Sequence, residues 1–561
     1  MTRKTWLLIL LALLALCVLA TTCGLGAYLA YDYLRATPEA TPRESTGVPR
    51  PATPLPTRSS DGAAAPEGTL RLFGGIPPTL DPAVVQDSTS AEYVVHLFSG
   101  LVTLDENLEV APDLATRWDL SEDGRTYTFH LRQDAAFQDG RALTAEDVAY
   151  SIERACSPET GSPVAASYLD DIVGAMARIR GEAEFVTGVV IVDDFTLRIT
   201  IDAPKAYFLA KLTYPVAFVV DRFQIEAEGA DWMRQPNGSG PFRLAAMRRD
   251  LIALEANERY YGVKPSIRRV EYVLSGGQPL AMYENDELDI VQVPPSEIER
   301  VTDPENPLSG ELVTGSEPSV QYLGFNVTMP PFDDRAVRQA FAHAIDKAKI
   351  ADLVLRGTAT AAQGILPPAM PDFDPTLKGL AYDPARAREL LASSRYGAEG
   401  AMPPVVLAVS GTSGYLSSID RAILGMLDEN LGLEVTVEQV EWSDFLRDMN
   451  ERRYPFFSSG WIGDYLDSQN FLDLLFHSAS PQNHTGYSNP EVDRLLEQAR
   501  VEADPDSRTS LYRQAERIIV DDAPWVPLTH GAVYVLVKPH VRGYRATGAI
   551  SPWLQHVALE R

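Results

Sequence analysis

Phe332-Asp333-Asp334-Arg335-Ala336-Val337-Arg338-Gln339-Ala340-Phe341, continued by Ala344-Ile345-Asp346, sets the frame for reading this chain. Val337, Phe341, Ala344 and Ile345 fall at i, i+4, i+7 and i+8, which is one face of an amphipathic helix. The motif is therefore expected to be structural, with its apolar face turned into a core.

A second stretch to the C-terminal side has a different character. Ser458-Ser459-Gly460-Trp461-Ile462-Gly463-Asp464-Tyr465-Leu466-Asp467 follows the helical run Trp442 to Glu451 and precedes the apolar run Phe471 to Phe476. Glycine lets a ligand backbone come close, and tryptophan offers a flat apolar surface. An acid at the same junction can hold an amine or cation by charge-assisted hydrogen bonds. Ser459, Gly460, Trp461, Asp464 and Tyr465 are thus the candidate ligand wall. The plainer reading is a core tryptophan beside a solvated turn.

Outward from these two stretches, Trp118 to Leu131 contains Asp123-Gly124 between two alternating segments, a hairpin signal. Thr144-Ala145-Glu146-Asp147 opens a helix with Thr144 as N-cap and acids in the first turn. Asn489-Pro490-Glu491 starts another helix with proline at its first position. Asn237-Gly238-Ser239-Gly240-Pro241-Phe242 is glycine-rich but lacks the lysine of a phosphate-binding loop.

These pieces occur in one order. Leu97 to Val102, Pro112 to Ala115, the Trp118 hairpin, Leu143 to Val148, Asn237 to Phe242, Phe332 to Asp346, Tyr382-Asp383-Pro384 and Gly486 to Asp493 together resemble the extracytoplasmic solute-binding proteins of peptide- and nickel-class ABC importers (family 5). The resemblance covers about 490 residues. It implies an α/β, two-lobe, periplasmic-binding-protein-like fold (type II, cluster C) with an extra subdomain in the first lobe. Residues 67–322 plus 526–561 would form the first lobe and 323–525 the second. Two short crossings, Ser319 to Asn326 and Trp525 to Thr529, would join them.

The resemblance further implies capture of a peptide between the lobes and delivery to membrane permease subunits. Asp464 stands where peptide-binding relatives grip the ligand's α-amine, and Asp467 in the following loop should matter less. Leu466 to Gln469 departs from the pattern of many members, which have a proline after an acid. An oligosaccharide or nickel chelate as ligand, or a membrane-anchored sensor in place of an importer subunit, stays open.

Composition supports a soluble globular body. The 561 residues exceed one core, so two or three lobes are expected. A net charge of −28 argues against nucleic acid as partner and favours a monomer through self-repulsion. No H-E-x-x-H, G-x-S-x-G or Walker lysine motif occurs, so no enzyme and no cofactor or metal are expected. His477 and His484, near the candidate wall, are the histidines closest to a ligand role. Cys17 and Cys23 lie in the N-terminal apolar segment, which leaves Cys156 without an intrachain disulfide partner in the body.

At the N-terminus, Arg3 and Lys4 precede 27 uncharged residues, Thr5 to Tyr31. As a helix these span about 40 Å, enough to cross a bilayer with the N-terminus inside. An uncleaved anchor, a cleaved signal with Val18-Leu19-Ala20 as its site, and lipidation at Cys23 all place the body outside the cytoplasmic membrane. Residues 1–35 are read as cytoplasmic end and anchor or signal. Residues 36–66 hold seven prolines and read as a linker with a reach of about 90 Å.

Overall fold

The computed structural model describes residues 68–398 and 401–560; the N-terminal segment and the linker lie outside them. Strand β1 (Thr69–Phe73) is followed by helix α1 (Ser88–Leu97), whose N-cap Asp87 accepts from Ser90 N at 2.9 Å. The hairpin forms as β2 (Ala115–Leu120) and β3 (Thr126–Leu131), with Gly124 at φ +69° in the turn, where a side chain would be strained. Helix α2 (Ala145–Ala155) starts at Thr144. Asp147 reaches back to the Thr144 N–H at 2.9 Å, closing a capping box. Strands β4 (Val189–Asp193) and β5 (Thr196–Thr200) complete a four-stranded sheet in the order β2-β3-β5-β4, the extra subdomain.

Three further strands, β6 (Phe242–Met247), β7 (Leu251–Ala256) and β8 (Arg269–Val273), lead to β9 (Ile290–Gln292). The chain then enters β10 (Ser319–Phe325), helix α3 (Arg335–Ala344), β11 (Val405–Ser410), α4 (Ser418–Leu431), β12 (Val435–Val440) and β13 (Phe456–Ile462). Helices α5 (Pro490–Val501) and α6 (Pro505–Asp522) precede the 13-residue strand β14 (Trp525–Val537).

One twelve-stranded sheet runs β12-β11-β13-β10-β14-β9-β1-β8-β7-β6, with two short strands laid against β14. Its halves belong to the two lobes. β14 passes between them: Trp525 to Thr529 pair with β10, and Val535 to Val537 pair with β9. The expected lobe limits fall inside β10 and at the start of β14. Tyr322 of β10 stacks on Trp525 of β14 with ring centroids 3.3 Å apart, tying the two crossing strands together.

The pattern of helix α3 has a physical explanation. Val337, Phe341, Ala344 and Ile345 are fully buried in the second-lobe core with Phe325, Phe456 and Leu407. Asp334 caps the helix by accepting from Ala336 N at 2.9 Å. Arg338, also buried, donates to the helix-end Asp522 carbonyl of α6 and to Phe332 O in the turn before α3, so it ties the two helices together. The motif is structural, as its spacing indicates.

The glycines of Asn237 to Phe242 have a similar explanation. A Cβ at Gly238 would collide with the Leu97 carbonyl oxygen, and one at Gly240 with the backbone of His96 to Phe98. Gly240 N donates to Leu97 O at 3.0 Å. The loop therefore packs on the C-terminal end of α1, where exposed carbonyls repel anions. Among the described residues, no helix is long and apolar enough to cross a membrane.

Candidate functional site

A cavity of about 700 Å³ lies between the lobes. Strand β13 forms one wall, contributing Ser458, Ser459, Gly460, Trp461 and Ile462, with Asp464 just beyond it. Gln86, Asp87 and Ser88 of the first lobe face them.

The hydrogen-bond parity of β13 decides what this wall offers. It pairs antiparallel with β10 along its whole length, Ser319 opposite Ile462 and Phe325 opposite Phe456. Asn326 N→Pro455 O (2.9 Å) and Gly463 N→Pro318 O (2.7 Å) bracket that ladder. In an antiparallel ladder, residues that exchange bonds with the partner strand alternate with residues that point away. Phe457, Ser459 and Trp461 are thus committed to β10. Ser458, Gly460 and Ile462 turn their N–H and C=O groups to the other edge. There β11 bridges at Phe457 through Ala408, and in a parallel ladder that bridge engages the flanking Phe456 C=O and Ser458 N–H. No strand among the described residues continues past that point, so a stretch of unpaired edge borders the cavity.

Asp464 sits at the end of this edge, half-buried. Its Oδ2 accepts from Tyr168 OH at 2.5 Å and from Asn470 Nδ2 at 2.8 Å. Oδ1 receives no hydrogen bond from any described residue. Desolvation raises the carboxyl to about 6, with the Tyr168 and Asn470 hydrogen bonds opposing the rise. Tyr168 is itself fixed by stacking on Tyr214, with centroids 3.9 Å apart, and Tyr214 OH donates to Val85 O at 3.1 Å.

Asn470 organises the wall. Its Oδ1 accepts from Trp461 Nε1 at 3.1 Å and from Asp464 N at 3.0 Å, while its amide nitrogen donates to the Asp464 carboxylate. The indole edge and the acid are thereby held by one side chain. Two further contacts join the lobes: Asn450 Nδ2 donates to Gln86 Oε1 at 2.7 Å, and Gln482 Nε2 to Pro163 O at 3.5 Å.

Four of the five sequence-derived wall residues, Ser459, Gly460, Trp461 and Asp464, line the cavity together. Tyr465 does not. It is 2% exposed and its hydroxyl donates to Gln469 Oε1 at 2.6 Å. The chain turns after Gly463, which sends the ring into the core. His484 lines the cavity and bonds to Asn450 Oδ1 at 3.0 Å; burial lowers it to about 4, with Arg452 adding to the effect. His477 lies outside the lining, paired with Glu497 at 3.3 Å. No group of metal-ligating side chains assembles among the described residues. Cys156 is buried and its thiol is pushed up to about 12 by desolvation, which leaves it unreactive.

Asp467 forms a two-pronged ion pair with Arg508 at 2.8 Å on each arm, away from the lining. Tyr168, Asn470, Asn450 and Gln86 are the site residues that sequence reasoning missed. Tyr168 lies 296 positions from its partner, and no local spacing marks it.

The chain as a whole is similar to known proteins. The chain is 32% identical over 482 residues to the probable deoxycholate-binding periplasmic protein YgiS of Escherichia coli K12, covering 83% of this chain and 89% of that one. It superposes on the E. coli murein tripeptide binding protein MppA with TM-score 0.81 at 27% identity, over 88% of this chain and 98% of that one. Against the unliganded open form of MppA the TM-score is 0.63 over the same shares at 27% identity. The lobes here are thus arranged less like that open form. Residues 109–483 match the model for bacterial extracellular solute-binding proteins, family 5 (middle region), and the chain belongs to that family.

Proposed function

We propose that this protein is the extracytoplasmic peptide-capturing subunit of an ABC importer, taking its ligand between the lobes and passing it to membrane permease subunits. The observation that carries the reading is the unpaired edge of β13 ending at a desolvated carboxylate with one free oxygen. An extended peptide can add to such an edge as an extra strand, its main chain supplying most of the affinity. Its α-amine then reaches Asp464 Oδ1, while Trp461 packs against the backbone. Main-chain recognition leaves side chains to a roomy, hydrated cavity, which tolerates varied sequences. MppA, named for a tripeptide, supports this ligand class.

The lobe limits expected from the sequence, 67–322 plus 526–561 and 323–525, fit this role. The crossing strands β10 and β14 would act as the hinge. Closure buries both faces of the ligand, so the closed state gains by its differential affinity alone. The N-terminal segment, as a membrane anchor or lipid attachment, would keep a monomeric body close to the permease at the outer face of the membrane.

Calorimetry with one peptide in free and N-acetylated form tests the reading, after mass spectrometry has identified co-purified ligand. The free form should bind at least tenfold tighter. Equal binding would overturn the amine anchor and turn attention to a sugar or a metal chelate.

A further inference from the structure

The charge lining the cavity is one-sided. Asp87, Glu317, Asp420 and Asp464 all border it, and no lysine or arginine among the described residues does. None of the four forms an ion pair with a described cation. Their bonds come from neutral donors: Ser90 N to Asp87, Ser319 Oγ to Glu317, Ser417 Oγ to Asp420, and Tyr168 OH and Asn470 Nδ2 to Asp464. Asp87 and Asp420 lie at helix starts, where the dipole offsets part of their charge. Glu317 and Asp464 have no such offset.

A second cavity of about 730 Å³ adjoins the first and shares Ser88, Gln292, Glu317 and Ile550 with it. Glu317 stands at the junction. It is wedged between Gly531 and Gly548, at each of which a Cβ would strike its side chain. Beyond it lies Glu92, which accepts from Tyr272 OH at 3.2 Å and Trp553 Nε1 at 3.3 Å. Its one basic neighbour, His96 at 3.9 Å, is fully buried and held neutral by desolvation. Tyr272, Tyr544 and Trp553 line the same space, an aromatic surround suited to a cation. Arg545, the cation of this cavity, is already paired with Glu106 at 2.6 Å.

Resting on the peptide reading above, we propose that the preferred ligand is a cationic peptide. It directs a basic side chain past Glu317 toward Glu92 and buries no free carboxylate in the cleft. A ligand carboxylate there would meet acids without a compensating cation and lose its own hydration beside them. A lysine or arginine side chain would neutralise groups that the fold leaves unpaired.

The test is titration calorimetry on the full chain with Ala-Lys-Ala-amide, Ala-Ala-Ala-amide, Ala-Glu-Ala-amide and the free acid of the first. The lysine peptide should bind at least tenfold tighter than the glutamate peptide, and amidation should not weaken binding. Equal or tighter binding of the glutamate peptide, or loss of affinity on amidation, overturns the proposal. Glu317→Gln and, separately, Glu92→Gln should shrink the ratio of lysine- to alanine-peptide affinity at least threefold. An unchanged ratio in both folded variants overturns the assigned path. If no peptide binds, the peptide reading fails, and spermidine against glutarate then tests the charge alone. Spermidine binding supports the charge reading; glutarate binding, or neither, overturns it.

Discussion

Asp464 is costly to the ligand-free fold, and in the proposed site a ligand amine offsets that cost. Its carboxyl is raised to about 6 by desolvation, above the usual carboxylate range. A raised acid favours the folded state while protonated, and that contribution is lost as pH rises from about 4 through about 6. At neutral pH the ligand-free protein therefore holds a poorly solvated charge that an amine would compensate. Asp464→Asn should lower affinity for a free-amine peptide about tenfold to a hundredfold. It should lower ligand-free stability by less than about 1 kcal/mol, because relief of the charge offsets one lost acceptor. Calorimetry and denaturant unfolding on the same variant separate the two effects; a large loss of stability with unchanged affinity would contradict this account. The wild type should also bind such a peptide about tenfold more weakly at pH 5 than at pH 7, as the carboxylate protonates. A flat profile over that range would remove Asp464 from amine binding.

Among elements, the Asp467–Arg508 pair and the glycine loop on α1 are structural, whereas the β13 edge is the proposed ligand contact. Asp467 joins the turn after β13 to α6 by two hydrogen bonds, and both side chains are mostly buried. Asp467→Ala removes the carboxylate but leaves Arg508 bonded to Ala499 O and Tyr512 OH, so it should cost roughly 1.5–3 kcal/mol of stability. Peptide affinity of the folded fraction should change little; a tenfold change would place Asp467 in the site. Gly240→Ala forces a Cβ into the His96–Phe98 backbone, which cannot yield without moving the end of α1. Chemical denaturation should report a loss of at least about 2 kcal/mol, as expected of overpacking against main chain. Stability within about 0.5 kcal/mol of wild type would mean that the loop relaxes freely.

For the whole molecule, an apolar cluster shared by both lobes and the Arg356–Glu299 pair cross between them, together with polar hydrogen bonds at the cleft: Tyr168–Asp464, Asn450–Gln86 and Gln482–Pro163. Such hydrogen bonds are individually weak, so a ligand that fills the space between them can shift the open–closed balance. The TM-scores of 0.81 and 0.63 against two MppA structures set the arrangement here apart from the open one. Small-angle scattering should give a smaller radius of gyration with saturating peptide than without. An unchanged radius would argue against an interlobe site. Removal of residues 1–66 should leave binding intact, since the proline-rich linker that joins them to the body has no periodic apolar face with which to pack on it. A soluble, folded truncation unable to bind what the full chain binds would refute this.

The sequence by itself determined whatever is set by neighbours a few positions apart. The Thr144 capping box, the Asp123-Gly124 hairpin and the buried face of α3 follow from local hydrogen bonds and helical spacing, and all three are present. It also located the strand carrying Gly460 and Trp461, with Asp464 just beyond it, through the resemblance to peptide-binding relatives. It could not tell that Tyr465 turns inward to Gln469, since one residue of turn geometry reverses a side chain's direction. Nor could it find Tyr168 above Asp464, Asn470 bridging indole and acid, or Glu317 joining two cavities. Those depend on pairings between distant segments. Only the assembled sheet, with β11 stopping at Phe457, decided which backbone groups were left for a ligand. An unpaired edge is a property of neighbouring strands, not of the residues that carry it.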